Sequence, residues 1–331
     1  GILYPNHQVI KSIFQEIFMA NKITIIGAGQ VGSSVAYALC LKGVATEIVL
    51  IDIDEKRAAG EAMDIRQGTP YMAPVNIHAG SYEDAKNSDI VIITSGVGRK
   101  PGQSRLDLAQ INVNIFKSII PQITKAAPDA IYVLVANPVD VLTYQLAKYS
   151  NIPANHIIGT GTLLDTARLR TKIADEYGIG QTNLHAYVFG EHGDSSFVPW
   201  SLVNIASVPV DDYNNAVGNK HKELNRDEVE EYVRKSGGMI IEAKKCTNYA
   251  IGVTTAKLCE LIKTNIPSVT IVSTMLNGEY GINDVCLSIP TVVGGNGVEG
   301  RLAPQLADSE VEQLRKSADA LKAVIAQLDF N

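Results

Sequence analysis

Lys22-Ile23-Thr24-Ile25-Ile26-Gly27-Ala28-Gly29-Gln30-Val31-Gly32 is the stretch on which the reading of this chain turns. An apolar, β-branched run stops at Gly27, glycines recur at +2 and +5, and Ser33 to Leu39 then carries a helical pattern. The order is strand, tight turn, helix. Gly27 permits the turn. Gly29 lacks a Cβ, so a pyrophosphate can approach the backbone, and Gly32 lets the helix pack close to the strand. The helix N-terminus adds free N–H groups and a positive dipole end. Alone the pattern is weak, because glycine-rich turns also serve purely structural ends.

Its surroundings strengthen it. A second apolar strand, Glu47 to Asp52, ends in an acid about 25 residues after Gly27. A dinucleotide fold places there the carboxylate that takes the ribose hydroxyls. A 2′-phosphate would meet a like charge, so Asp52 favours NAD over NADP. The alternative is an Asp52 that merely caps the next helix. Arg57, one turn into that helix, either softens the preference against NADP or is simply solvated.

At 331 residues the chain can bury a large core, and two domains are expected. Hydrophobic content of 46% with 19% charged residues describes a soluble globular protein. A net charge of −6 gives no support to nucleic-acid or anionic-membrane binding. No apolar run reaches transmembrane length. Cys40, Cys246, Cys259 and Cys286 sit singly, without metal-ligand spacing, and read as free thiols in a reducing cytoplasm. No metal is expected.

Residues 1–18 form an extension ahead of Met19. Ile10, Ile13, Phe14, Ile17 and Phe18 would share one face of a short helix, either an arm on a neighbouring subunit or a vector-derived or upstream segment. A dinucleotide-binding domain is expected over 19–160 and a substrate domain over 161–331.

After Asp52, a helix is expected over Lys56–Gln67, and strands over Val75–Gly80, Asp89–Gly96 and Ile131–Ala136. A long helix ending near Ala126 precedes the last of these. Continuously apolar strands alternating with helices describe an α/β fold, a doubly wound parallel sheet. Asp52, Thr94-Ser95-Gly96 and Asn137 fall at carboxyl ends of strands, where such sheets hold ligands.

The second half is mixed α and β. Helix is expected over Leu163–Tyr177, strand over Leu184–Phe189, and a long amphipathic stretch over Arg226–Lys263, interrupted near Gly237-Gly238 and Asn248. Two strands, Ser268–Met275 and Asp284–Val293, flank a glycine-containing turn, and a last helix spans Asp308–Leu328.

Hydride transfer to a carbonyl needs a proton donor, a polarising group and a grip on the substrate. His192, in the polar loop Gly190-Glu191-His192-Gly193-Asp194, suits acid–base work near neutral pH. Asp165 suits the carboxylate that holds such an imidazole. Arg168, at i+3 on the same helix face, suits a substrate carboxylate. On spacing alone, a surface-loop histidine and an ordinary i,i+3 ion pair read equally well.

Longer motifs narrow this. Gly27–Gly32, Ser104-Arg105-Leu106-Asp107-Leu108, Asn137-Pro138-Val139-Asp140-Val141-Leu142-Thr143-Tyr144, Leu164–Arg170 and Gly190–Ser195 occur in one order. Over residues 21–328 the chain resembles the L-lactate/L-malate dehydrogenase family, on the side of its bacterial lactate members. The resemblance implies that His192 exchanges the proton, Asp165 orients it, Arg168 binds the substrate carboxylate and Arg105 closes over the substrate on a mobile loop. It implies that Asn137 touches substrate and nicotinamide, that Thr247 lines the substrate pocket and that Ile251 packs on the nicotinamide. It extends the NAD contacts to Val31, Tyr82, Thr94, Gly96, Val97, Ser118, Val135 and Thr160.

One residue is discordant. Lactate enzymes resembling this chain carry glutamine where Arg99 stands, and malate enzymes carry arginine there to pair with a second carboxylate. An arginine closed over a methyl group would be desolvated without a partner. Glu191 and Thr247 resemble the lactate members. Pyruvate and L-lactate are therefore expected as substrates, with oxaloacetate and L-malate as the alternative. Arg170 and His185 match the pair that binds fructose 1,6-bisphosphate in allosteric lactate enzymes, at a site between subunits of a homo-oligomer, either a tetramer or a dimer. A catalytically silent NAD-binding protein is the rival of another class. The intact set His192, Asp165, Arg168 and Arg105 argues against it, and a methyltransferase leaves the second-half motifs unexplained.

Overall fold

The structure, a computed structural model, describes residues 21–98, 102–218 and 223–330. The N-terminal extension with its apolar face, Met19 and Arg99 lie outside the described residues.

Strands β1 (Lys22–Ile26), β2 (Glu47–Ile51), β3 (Asn76–Ala79), β4 (Ile90–Ile93), β5 (Ile131–Leu134) and β6 (Ile157–Gly159) are parallel, in the order β3-β2-β1-β4-β5-β6. Helices α1 (Gln30–Lys42), α2 (Glu55–Gly68), α3 (Arg105–Ala126) and α4 (Val139–Tyr149) make crossovers between them. The strands are apolar on both faces because both faces are covered. Ile23, Ile25, Ile48, Leu50, Ile90 and Ile92 enter one core with Val35 and Leu39 of α1. Val49, Ile51, Val91 and Ile93 enter the other with Val113, Phe116 and Ile120 of α3.

Helix α4 and strand β6 were not expected. Every residue from Val139 to Leu146 is buried, so α4 packs on all sides of its first two turns. Strand β6 is three residues long, too short for a pattern of its own.

The second half begins with α5 (Leu163–Tyr177), followed by a small antiparallel sheet of β7 (Leu184–His185), β8 (Asn204–Ile205) and β9 (Val208–Pro209). Beyond His185 the expected strand leaves the sheet, and Phe189 and Gly190 make only single bridges to Phe197 and Ser288. Helices α6 (Arg226–Lys244) and α7 (Tyr249–Thr264) come next. The expected interruption at Gly237-Gly238 is absent, since α6 runs through both glycines and stops at Lys245, whose φ is +71°. Strands β10 (Ser268–Asn277), β11 (Asn283–Gly294) and β12 (Gly297–Arg301) form an antiparallel meander, and α8 (Asp308–Ile325) closes the chain, ending before the expected Leu328.

The meander joins the edge of the parallel sheet through Ser273 opposite Gly159, so one nine-stranded sheet carries residues from both halves. Cys40, Cys259 and Cys286 are buried free thiols and Cys246 is partly exposed. Among the described residues, no helix is long and apolar enough to cross a membrane, and no cluster of His, Cys, Asp and Glu suits a metal ion.

Candidate active site

The glycine turn does what its sequence suggests. Gly27 has φ +103°, and a Cβ there would lie 2.7 Å from Thr94 Oγ1. A Cβ on Gly32 would lie 1.8 Å from the Gly27 carbonyl oxygen, so helix and strand touch only because it is absent. At Gly29 a Cβ would meet nothing within 4 Å, so the loop is open on its outer side. No side chain caps the N-terminus of α1. Asp52 accepts the Ala28 N–H at 2.7 Å and the Asp54 N–H at 2.9 Å, so its carboxylate stands against the glycine loop at the end of β2. Arg57 is exposed on α2. Open backbone donors beside an uncapped helix end fit a pyrophosphate, and Asp52 fits a ribose.

A cavity of about 460 Å³ continues from this loop along the carboxyl ends of the strands. Val31, Thr94, Gly96, Val97, Val135, Asn137, Thr160 and Ile251 line it, together with Asp165, Arg168, His192 and Thr247. Residues separated by more than 200 positions thus meet in one space. Arg57, Tyr82 and Ser118, also expected at the cofactor, are not part of this lining. The Ser118 hydroxyl donates to the Ile115 carbonyl of its own helix at 2.7 Å, and Tyr82 packs half-buried against the core.

Within the cavity, His192 Nδ1 lies 2.5 Å from Asp165 Oδ2. This leaves Nε2 for a reacting group. Burial by itself disfavours a charged imidazole, but the charge and hydrogen bond of Asp165 prevail and carry His192 up to about 9. Burial likewise opposes ionisation of Asp165, yet His192 and Arg168 hold its carboxyl below the usual range. Arg168 donates from Nη1 to Asp165 Oδ1 at 3.2 Å. Helix α5 sets this spacing, since i and i+3 share a face. The opposite wall is α6, where a Cβ on Gly237 would stand 3.5 Å from the Arg168 guanidinium. The glycine pair therefore lines the cavity wall instead of breaking the helix.

Arg105 opens α3 at the cavity rim. Its guanidinium pairs with Asp194 at 2.5 Å, and the two side chains are 68% and 75% exposed. So exposed a pair is weak and exchangeable. Glu191 turns away from the cavity, accepting from the Ser195 hydroxyl, while its own N–H donates to Ser317 of α8.

Three positioning side chains escaped the sequence reading. Asn112, fully buried on α3, accepts the Val97 N–H at 2.9 Å and donates to the Asn137 carbonyl at 2.7 Å, tying two cavity walls together. A lone asparagine among Ala109, Val113 and Phe116 on a buried face was the available sign. Asp140 accepts the His192 N–H at 2.7 Å from α4. Arg234 of α6 reaches the Ser196 carbonyl and Glu230 while lining the cavity.

A second cavity, of about 320 Å³, holds Arg170, Thr171, Thr182, Tyr187 and Lys257. Arg170 donates from Nε to the Ala186 carbonyl at 3.0 Å and lies 5.0 Å over the Tyr187 ring. His185, next to Ala186, is exposed on β7.

A dinucleotide-binding sheet that gathers a histidine–carboxylate pair and an arginine at its mouth is the arrangement of an NAD-dependent 2-hydroxyacid dehydrogenase. The family model of the lactate/malate dehydrogenase NAD-binding domain matches residues 21–159, and that of the family's α/β C-terminal domain matches residues 162–329. The chain belongs to the lactate/malate dehydrogenase family, and its cofactor is NAD. It is 45% identical to an L-lactate dehydrogenase of Acetivibrio thermocellus over 309 residues, covering 93% of this chain and 98% of that one. An L-lactate dehydrogenase of Thermoanaerobacter sp. is 44% identical over 310 residues, 94% of this chain and 100% of its own. Among solved structures, the minor L-lactate dehydrogenase of Enterococcus mundtii in a ligand-bound form superposes with a TM-score of 0.90 at 36% identity, covering 94% of this chain and 99% of that one.

Proposed function

We propose that the chain is an L-lactate dehydrogenase that reduces pyruvate to L-lactate, with His192 as proton donor. The observation that carries this reading is the 2.5 Å contact between His192 Nδ1 and Asp165 in a cavity that also holds Arg168. The L-lactate dehydrogenases named above support the choice of substrate. Bound NADH supplies the hydride. Arg168 grips the substrate carboxylate as a bidentate pair, and Asn137 borders both ligands. Arg105 leaves Asp194 and closes over the carbonyl, polarising it as negative charge builds on oxygen. His192 Nε2 gives its proton to that oxygen, and the imidazole then takes a proton back from solvent. In the oxidative direction neutral His192 accepts the hydroxyl proton, so the same group serves both directions.

Oxaloacetate is the second reading, favoured by Arg99, whose charge suits a second carboxylate. Fructose 1,6-bisphosphate is the proposed effector. Arg170 supports it, since it lies in its own cavity with Lys257 and makes no ion pair among the described residues. The proposed assembly is a homo-oligomer with that site between subunits.

The test is NADH absorbance with pyruvate and with oxaloacetate, each with and without the bisphosphate. Faster loss with pyruvate is expected, at a lower half-saturation when the bisphosphate is present. A preference for oxaloacetate transfers the reading to malate, and Arg99→Gln then restores pyruvate. Stable absorbance with both substrates overturns it.

A further inference from the structure

His192 has a second carboxylate behind it. Asp140 stands in the first turn of α4, three residues after Asn137. It is 2% exposed, and its Oδ2 accepts the His192 peptide N–H at 2.7 Å. Its Oδ1 has no hydrogen-bond partner of good geometry among the described residues. The neighbouring Ser273 hydroxyl, buried on β10, leans toward the carboxylate and offsets part of the cost of burying the charge. A buried carboxylate so sparsely satisfied is expensive for the fold. A serine or asparagine would accept the same N–H at lower cost, so the carboxyl's charge calls for its own explanation.

We propose that Asp140 is a positioning residue for His192: from behind the loop it anchors the histidine peptide N–H, and it shares with Asp165 the balancing of the imidazolium charge. The two acids act on different atoms. Asp165 on α5 holds the ring through Nδ1, whereas Asp140 on α4 holds the backbone from which the ring hangs. Two fixed points on two helices define where Nε2 aims.

The other charges around the imidazole do not supply this. Arg168 of α5 and Arg234 of α6 are cations that oppose a second positive charge. Asp194 is 75% exposed at the rim, where solvent screens its charge, and Glu191 is engaged by the Ser195 hydroxyl. Around Asp140 itself stand His192, Glu191 and the buried Cys286 thiol of β11. Burial pushes Asp140 up to about 6, so part of its charge is lost in mildly acidic solution. The His192 N–H keeps its acceptor, while the imidazolium loses one of its two balancing charges.

This inference rests on His192 being the proton donor, and the experiment separates the two claims. His192→Asn is measured first, and retained turnover would overturn the acid–base reading itself. With that variant inactive, the pH profile of pyruvate kcat/KM is compared between the wild type and Asp140→Asn. The asparagine keeps the shape and can still accept the His192 N–H, so a purely structural role leaves the profile in place. The expected result is an alkaline limb moved down by about one pH unit, with the KM for NADH unchanged. An unmoved limb overturns the proposal. Should Asp140→Asn fail to fold, Ser273→Ala takes its place. Loss of that hydroxyl further disfavours the carboxylate, so a smaller shift in the same direction is expected, and no shift overturns the proposal.

Discussion

Helix α5 feeds two cavities with the same kinds of residue. Arg168 meets His192 on one side, and Arg170 lies beside the segment of His185 on the other. Two positions along a helix is about 200° of rotation, so neighbouring arginines leave opposite faces. The difference lies in the acid. The first pair shares the buried Asp165, which binds both cation and imidazole. The second has no carboxylate among the described residues, and Arg170 instead stacks on Tyr187 and bonds a carbonyl. On the proposed reading, an arginine and a histidine with a buried acid serve proton transfer. On that reading, the same pair without one leaves the Arg170 charge for an incoming anion.

That contrast can be broken at either end. His192→Asn should lower kcat for pyruvate by roughly 10²–10⁴-fold, the range of a lost general acid, with NADH binding retained in a fluorescence titration. His185→Asn should leave turnover without effector almost unchanged, so equal losses in both variants would erase the distinction. Arg168→Gln should lower kcat/KM by about 10²–10³-fold, as for truncation of one partner of a buried charge pair. A loss in kcat alone would point away from carboxylate binding.

The role of the acid is read from pH. With His192 raised to about 9, reduction needs the imidazolium, so its rate holds through neutral pH and falls as pH rises through that value. Oxidation, which needs the neutral ring, gains over the same range. Asp165→Asn should move both limbs toward the ordinary histidine range near 6.5. The smallest basal effect belongs to Arg170→Gln. Its rate without effector should stay within about twofold, while the response to fructose 1,6-bisphosphate, expected at about 5-fold or more for an allosteric coupling, disappears. A response that survives would move the effector away from this cavity.

Much of the site was legible because its motifs are local. Gly27 and Gly32 meet the turn and packing demands read from their spacing, and Asp165 with Arg168 is an i,i+3 pair that any helix would form. What was not legible is buried polarity. Asn112 sits on a helix face that read as core and Asp140 on a helix that was not expected, and only their partners Val97, Asn137 and His192 give them a purpose. Gly237-Gly238 misled for the converse reason. Glycines signal a break by propensity, yet α6 is continuous through both, and they line the cavity.

The sequence by itself determined the parallel sheet, the glycine turn with its acid at Asp52, and the residue types of the chemistry. These follow from strand and helix periods and from backbone sterics within a few residues. The tertiary structure alone decided that the second half extends the same sheet through β10, that Asn112 ties Val97 to Asn137, and that Asp140 stands behind His192. Those depend on which distant segments pack together, and no local period encodes that.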